Sequence, residues 1–153
     1  MAENAGETLS GVPESALGAL YIRALESQRP DALIKDAKAV ELVKAMDYDF
    51  RRIRQVPGSE AYNTVRILMG RELDRATQHF LASHPDGVVV HIGCGLDSRF
   101  ERVDKGRVEW YDLDLPEIIA LRRKLFGDEG ERHHLLGCSA LEEAWLDALC
   151  VHR

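Results

Sequence analysis

Apolar positions recur every three or four residues through the first half of the chain, then give way to short unbroken apolar runs. Leu17, Leu20, Tyr21, Ala24 and Leu25 share one side of a helix that follows Pro13 and is broken by SQRPD at Ser27 to Asp31. Ala39, Leu42, Val43 and Met46 mark a second helix. The stretch DYDFRRIRQVPGS, Asp47 to Ser59, is punctuated by Pro and Gly and reads as a connecting loop whose basic run of Arg51, Arg52 and Arg54 is expected to be a solvated face, with an anion site as the alternative. Ser59 can cap a third helix, whose stripe of Val65, Leu68, Met69, Leu73, Ala76 and Phe80 continues until HPDG at His84 to Gly87. Val88, Val89, Val90 and Ile92 then form a β-branched run without alternation, the pattern of a strand covered on both faces in a parallel sheet. A second strand spans Val108 to Asp112. Pro116 opens a helix that passes through Ile118, Ile119, Leu121 and Leu125 to Gly127. A third strand lies around Arg132 to Gly137, and Ser139, Ala140, Leu141 and Glu142 match a capping box ahead of a last helix containing Leu141, Trp145 and Leu149. Strands alternating with helices predict an α/β fold with a doubly wound parallel sheet.

Composition narrows the partners. With 153 residues, 45% hydrophobic and 30% charged, the chain can build one domain with a real core. The net charge of -6, from 26 acidic and 20 basic residues, disfavours nucleic acid and anionic membranes and leaves a small molecule as the expected partner. No apolar run approaches the roughly 20 residues a membrane helix needs, and MAENAGETLS lacks the layout of a signal peptide, so the expected location is the cytoplasm. Cys94, Cys138 and Cys150 are odd in number and far apart, which suggests free thiols and neither a disulfide framework nor a metal site. His133 and His134 are adjacent, so a strand sends them to opposite faces and they cannot grip one metal; one packed and one solvated ring are expected.

The chemistry concentrates in VVVHIGCGLDSRF and VEWYDLDLP. Gly93 and Gly95 close the first strand, where a side chain would block a ligand from the backbone. The dinucleotide fingerprint asks for a third small residue of Gly or Ala type, yet Ser98 stands there, which disfavours an NAD-dependent oxidoreductase. Asp112 and Asp114 close the second strand at the distance a ribose-binding carboxylate needs, and either can take the two hydroxyls. Each feature also has a plainer role. The glycines can build a tight turn, and Asp114 can cap the following helix.

VVVHIGCGLDSRFERV, WYDLDLPEIIALRR and ALESQRPDALIKDAKAVELV together resemble the leucine carboxyl methyltransferase and tetracenomycin-type O-methyltransferase family, from Val12 to Trp145. The resemblance implies a Rossmann-like class I methyltransferase fold and S-adenosyl-L-methionine as cofactor. It places Gly93 and Gly95 along the methionine part, Asp114 on the ribose, and Ser139 and Ala140 at the adenine. An arginine that meets the cofactor carboxylate in relatives falls at Met69, with Arg71 beside it and Arg66 a turn earlier; Arg23 resembles another basic contact. The implied layout is an arm over residues 1–12, a helical lid over 13–58 and a partial cofactor-binding domain over 59–153, truncated after the third strand. Without a fourth strand the first has an open edge, where low solubility, pairing with another chain or copy, or a missing C-terminal portion is expected. The implied function is O-methylation of a carboxyl or polyketide-type hydroxyl, or the cofactor-binding half of such an enzyme. The alternative is an inactive remnant or interaction module. No catalytic base is evident: a carboxylate acceptor, with a pKa of about 4, needs none, whereas a phenol at about 10 does.

Overall fold

The computed structural model describes residues 14–50 and 59–150. The expected arm, the Arg51, Arg52 and Arg54 run, and the hydroxyl of Ser59 lie outside what it describes. The elements are α1 (Glu14–Ser27), α2 (Ala37–Ala45), α3 (Ser59–Ser83), β1 (Val88–Ile92), α4 (Arg99–Val103), β2 (Glu109–Asp114), α5 (Pro116–Phe126), β3 (His133–Gly137) and α6 (Ala144–Cys150). They fall into two compact units. One holds the described residues up to His79 together with Leu96–Val103; the other holds Phe80–Gly95 and the described residues from Asp104 onward.

In the first unit, the helical stripes expected of α1 and α2 supply buried Leu17, Leu20, Ala24, Ala39 and Leu42, joined by Ile34, Phe50 and Ile67. Tyr21 stacks on Phe50 with ring centroids 4.9 Å apart. Asp36 caps α2, accepting from the Ala39 N–H at 2.8 Å. The same carboxylate anchors a buried ion network. Arg23 Nε donates to Asp36 Oδ2 at 3.0 Å, Ser98 donates its hydroxyl to Oδ1, and Arg102 reaches both Asp36 and Asp97. Arg99 and Arg102 also donate to Asp74 at 2.8 and 2.7 Å. Burial alone lowers the pKa of Arg102, but Asp74, Asp97 and Asp36 outweigh it and hold the guanidinium above its ordinary range. The stripe on α3 has a different outcome from those on α1 and α2: Tyr62, Val65, Met69 and Leu73 are each more than half exposed, while Ile67 and Asp74 are buried.

The second unit is a three-stranded parallel sheet in the order β1-β2-β3. β2 is central and carries the core, with Trp110, Tyr111 and Leu113 at most 1% exposed. α5 lies against β2 and β3 and buries Ile118, Ile119 and Leu121. The doubly covered pattern of β1 meets a different position: it pairs only with β2 among the described residues, and Val88 and Ile92 are 40% and 54% exposed. The last helix also departs from expectation. Helix α6 begins at Ala144, and Ser139 instead closes a turn in which its hydroxyl accepts from the Leu141 N–H at 3.2 Å. Ser139 to Glu142 therefore act through a local side-chain turn, which competes with the helix start that the capping pattern suggests, and Leu141 is 95% exposed.

Asp112 ties the sheet together. Its Oδ1 accepts from His91 Nδ1 at 3.0 Å and Trp110 Nε1 at 2.9 Å, and its Oδ2 accepts from His133 Nε2 at 2.8 Å and from Arg122. One carboxylate thus links all three strands and α5. His133 and His134 do take opposite faces, but neither is solvated: His133 serves Asp112 and His134 pairs with Glu109. Burial pushes the Asp112 carboxyl upward, yet hydrogen bonds from His133 and His91 and the charge of Arg122 outweigh it and hold its pKa well below the usual carboxylate range. A depressed pKa contributes stability that is full above the unfolded value of about 4 and drains away as the pH falls below it. Asp112→Asn should therefore cost about 3 kcal/mol at pH 7, the scale of a broken buried pair. In denaturant melts the gap to wild type should narrow by about 1.3 kcal/mol at pH 3; a gap of the same size at both pH values would contradict this assignment.

Candidate cofactor site

The carboxyl ends of parallel strands are where α/β sheets receive ligands, because the chain leaves each strand there and exposes backbone polar groups. Here that end carries Gly93–Gly95 after β1, Asp114 at the tip of β2, and Cys138–Ala140 after β3. The loop is tied to the sheet by Gly93 N–H donating to Leu113 O at 2.8 Å. Cys94 is buried beside Ile119 and Leu135. Gly93 and Gly95 have φ of +66° and +51°, conformations that L side chains rarely adopt, and a Cβ on either would have no atom within 4 Å. The glycines therefore meet a backbone requirement and leave open space above the loop.

Of the two acids the sequence leaves open, the structure separates the roles by depth. Asp112 is 1% exposed, and its four lone-pair positions are filled by His91, Trp110, His133 and Arg122, so it has none to offer a ribose. Asp114 is half-buried at the strand end. It accepts from the Gly95 N–H at 2.8 Å through Oδ2 and from the Leu115 N–H at 2.8 Å through Oδ1, which leaves one acceptor position on each oxygen for a diol. It does not cap α5. Leu115 occupies that position, with Pro116 in the first turn. Ser139 and Ala140 follow β3 at the same end of the sheet, with Cys138 N–H donating to Asp114 O at 3.0 Å. The residues fit a cofactor with a vicinal diol: an uncluttered glycine loop, and beside it a carboxylate with two acceptor positions left.

The basic candidates belong to the other unit. Arg23, expected to touch the cofactor, has its guanidinium spent on Asp36 and on Leu96 O, the latter at 2.6 Å. Arg71 pairs with its neighbour Glu72 at 2.8 Å, Met69 is exposed, and Arg66 lies over the Tyr62 ring at 5.5 Å. Ser98, the departure from the dinucleotide pattern, is 1% exposed and bound to Asp36. No group of three or more His, Cys, Asp or Glu able to hold a metal occurs among the described residues.

Comparison with known proteins identifies the family. The profile described as leucine carboxyl methyltransferase matches residues 16–150. The chain belongs to the leucine carboxyl methyltransferase family. It is 44% identical over 151 residues to the tetracenomycin polyketide synthesis O-methyltransferase TcmP of Streptomyces glaucescens, which covers 97% of this chain and 54% of that protein. It is 29% identical over 150 residues to the S-adenosyl-L-methionine-dependent methyltransferase dpfgK of Gibberella zeae, covering 91% and 50%. A protein of Mycobacteroides abscessus named a putative S-adenosyl-L-methionine-dependent methyltransferase is 31% identical over 131 residues, covering 81% and 42%. The chain spans about half the length of these family members.

Sequence reasoning missed Arg122, His91 and His133. Arg122 did leave a trace, since it falls in the apolar stripe of α5 beside Ile118, Ile119 and Leu121 and is fully buried there. A charge inside a buried stripe signals a committed partner. The strain at Gly95 yields a test. Gly95→Ala should lose about 1 to 2 kcal/mol from the left-handed backbone alone, because its methyl meets no atom. Thermal melts that show no loss would mean the loop does not hold this conformation.

Proposed function

We propose that this chain is the S-adenosyl-L-methionine-binding half of an O-methyltransferase. The observation that carries the reading is the pairing of Asp114 with Gly95: a carboxylate with two acceptor positions left, fixed beside a loop whose glycines leave room for a ligand. The cofactor supplies a methyl group activated on a sulfonium. The protein's part is to hold the ribose on Asp114, keep the methionine portion along Gly93 and Gly95, and position the methyl for in-line attack. Family membership and the names of the relatives support this chemistry. The acceptor we infer is a carboxyl or a polyketide-type hydroxyl, the latter because TcmP is named for polyketide O-methylation. A carboxylate is already ionised at neutral pH and asks for no base. A cytoplasmic setting and a small-molecule acceptor belong to the same proposal, and no described helix is long and apolar enough to cross a membrane.

Calorimetric titration tests the cradle. Wild type should bind S-adenosylmethionine with measurable heat, and Asp114→Ala should weaken binding by about 10- to 100-fold through loss of charge-assisted hydrogen bonds to the diol. No heat with wild type would remove the cofactor reading and favour the inactive remnant.

A second part of the proposal concerns assembly. Among the described residues β1 has an open edge, and its apolar ends are exposed. Such an edge is a template for another strand. We infer that the chain works with a further strand paired along β1. Sedimentation of the isolated chain should show association that grows with concentration. A monodisperse monomer that melts cooperatively would rule this out.

A further inference from the structure

Arg122 is 0% exposed. Its guanidinium spans two groups: one amino group donates to Asp112 Oδ2, and the other donates to Gly95 O at 2.8 Å. The carbon of the same guanidinium lies 4.6 Å from the centroid of the Phe126 ring. Gly95 is thus gripped at both polar atoms, its N–H by Asp114 and its carbonyl by Arg122. Residues 112 and 114 lie two apart on β2 and so share one face of the strand. The outer acid holds the glycine directly, and the inner acid holds it through the arginine. A glycine peptide has wide conformational freedom, so its orientation must come from such partners. Burying an arginine to fill space would be a poor exchange, since apolar residues of similar volume are as good or better for stability.

We propose that Arg122 is a positioning residue of the cofactor cradle: anchored by Asp112, it fixes the Gly95 peptide so that Asp114 and the open face of the loop stay in register for the ligand. His91 and His133 support this from the flanking strands by filling the remaining positions of Asp112. For its ligand the proposal rests on the cofactor reading above; for the loop it stands without it.

The test uses Arg122→Lys, Arg122→Gln and Arg122→Met, each followed by two measurements. Hydrogen exchange at the Gly95 amide, read by nuclear magnetic resonance on the free protein, reports the loop. Calorimetry with S-adenosylhomocysteine reports the site. A lysine or glutamine reaches one partner and not both. In a folded variant the Gly95 amide should exchange at least about tenfold faster, while amides in β3 keep wild-type protection, and the dissociation constant should rise by about tenfold. A purely structural arginine would lower the melting temperature and leave Gly95 and affinity at wild-type values, and that result overturns the proposal. If no Arg122 variant folds, Asp112→Asn takes their place. It weakens the anchor by removing its charge and one acceptor oxygen and should give the same two changes in smaller measure; a folded Asp112→Asn with wild-type Gly95 protection also overturns the proposal. If wild type fails to bind S-adenosylhomocysteine, the cofactor reading falls and the exchange data still decide the role of Arg122.

Discussion

A carboxylate carried into the middle of a sheet must find donors for both oxygens, and the way Asp112 meets that demand organises the second unit. Its four donors come from β1, β2, β3 and α5, so strand order, strand register and the seating of the helix all converge on two oxygen atoms. Desolvation opposes the charge, and the donors reverse the balance. Because one of them, Arg122, continues to Gly95, the same constraint reaches the loop at the mouth of the sheet. The glycine loop is thereby an extension of the core.

The first unit solves a similar problem with more charges. Arg23, Arg99 and Arg102 face Asp36, Asp74 and Asp97, three of each sign. Residues 97–99, which look like part of a ligand motif in the linear sequence, spend their side chains on this network. Buried ion clusters are costly to assemble but define geometry sharply, because moving one member strands another. They tie the segment after the glycine loop to α1, to the cap of α2 and to α3.

Much of the fold was legible because period and punctuation are local properties. The stripes of α1, α2 and α5, the proline that opens α5, and the turn that ends α3 were readable from spacing, and the helices and strands occur there. The capping pattern at Ser139 to Glu142 misled, since the hydroxyl had a nearer partner in Leu141 N–H. The stripe on α3 was readable as a helix and silent on its environment: periodicity shows that a face is apolar and leaves open what covers it. In the site, the glycines and the DLD pair were legible. Composition and spacing alone left Asp112 and Asp114 open, because two acids on one face of a strand differ only in depth, and only the family resemblance pointed to Asp114.

By itself the sequence determined the order of helices and strands, the positions that require glycine, the membership of the methyltransferase family, and the pair of acids at the end of the second strand. Tertiary structure decided which acid keeps acceptor positions, that Arg23 is occupied with Asp36 and Leu96, and that Arg122 bonds to the loop at Gly95. The reason is physical. Local propensities act through neighbours in the chain, whereas a side chain's availability depends on how many donors and how much water reach it, and those come from residues up to 73 positions away.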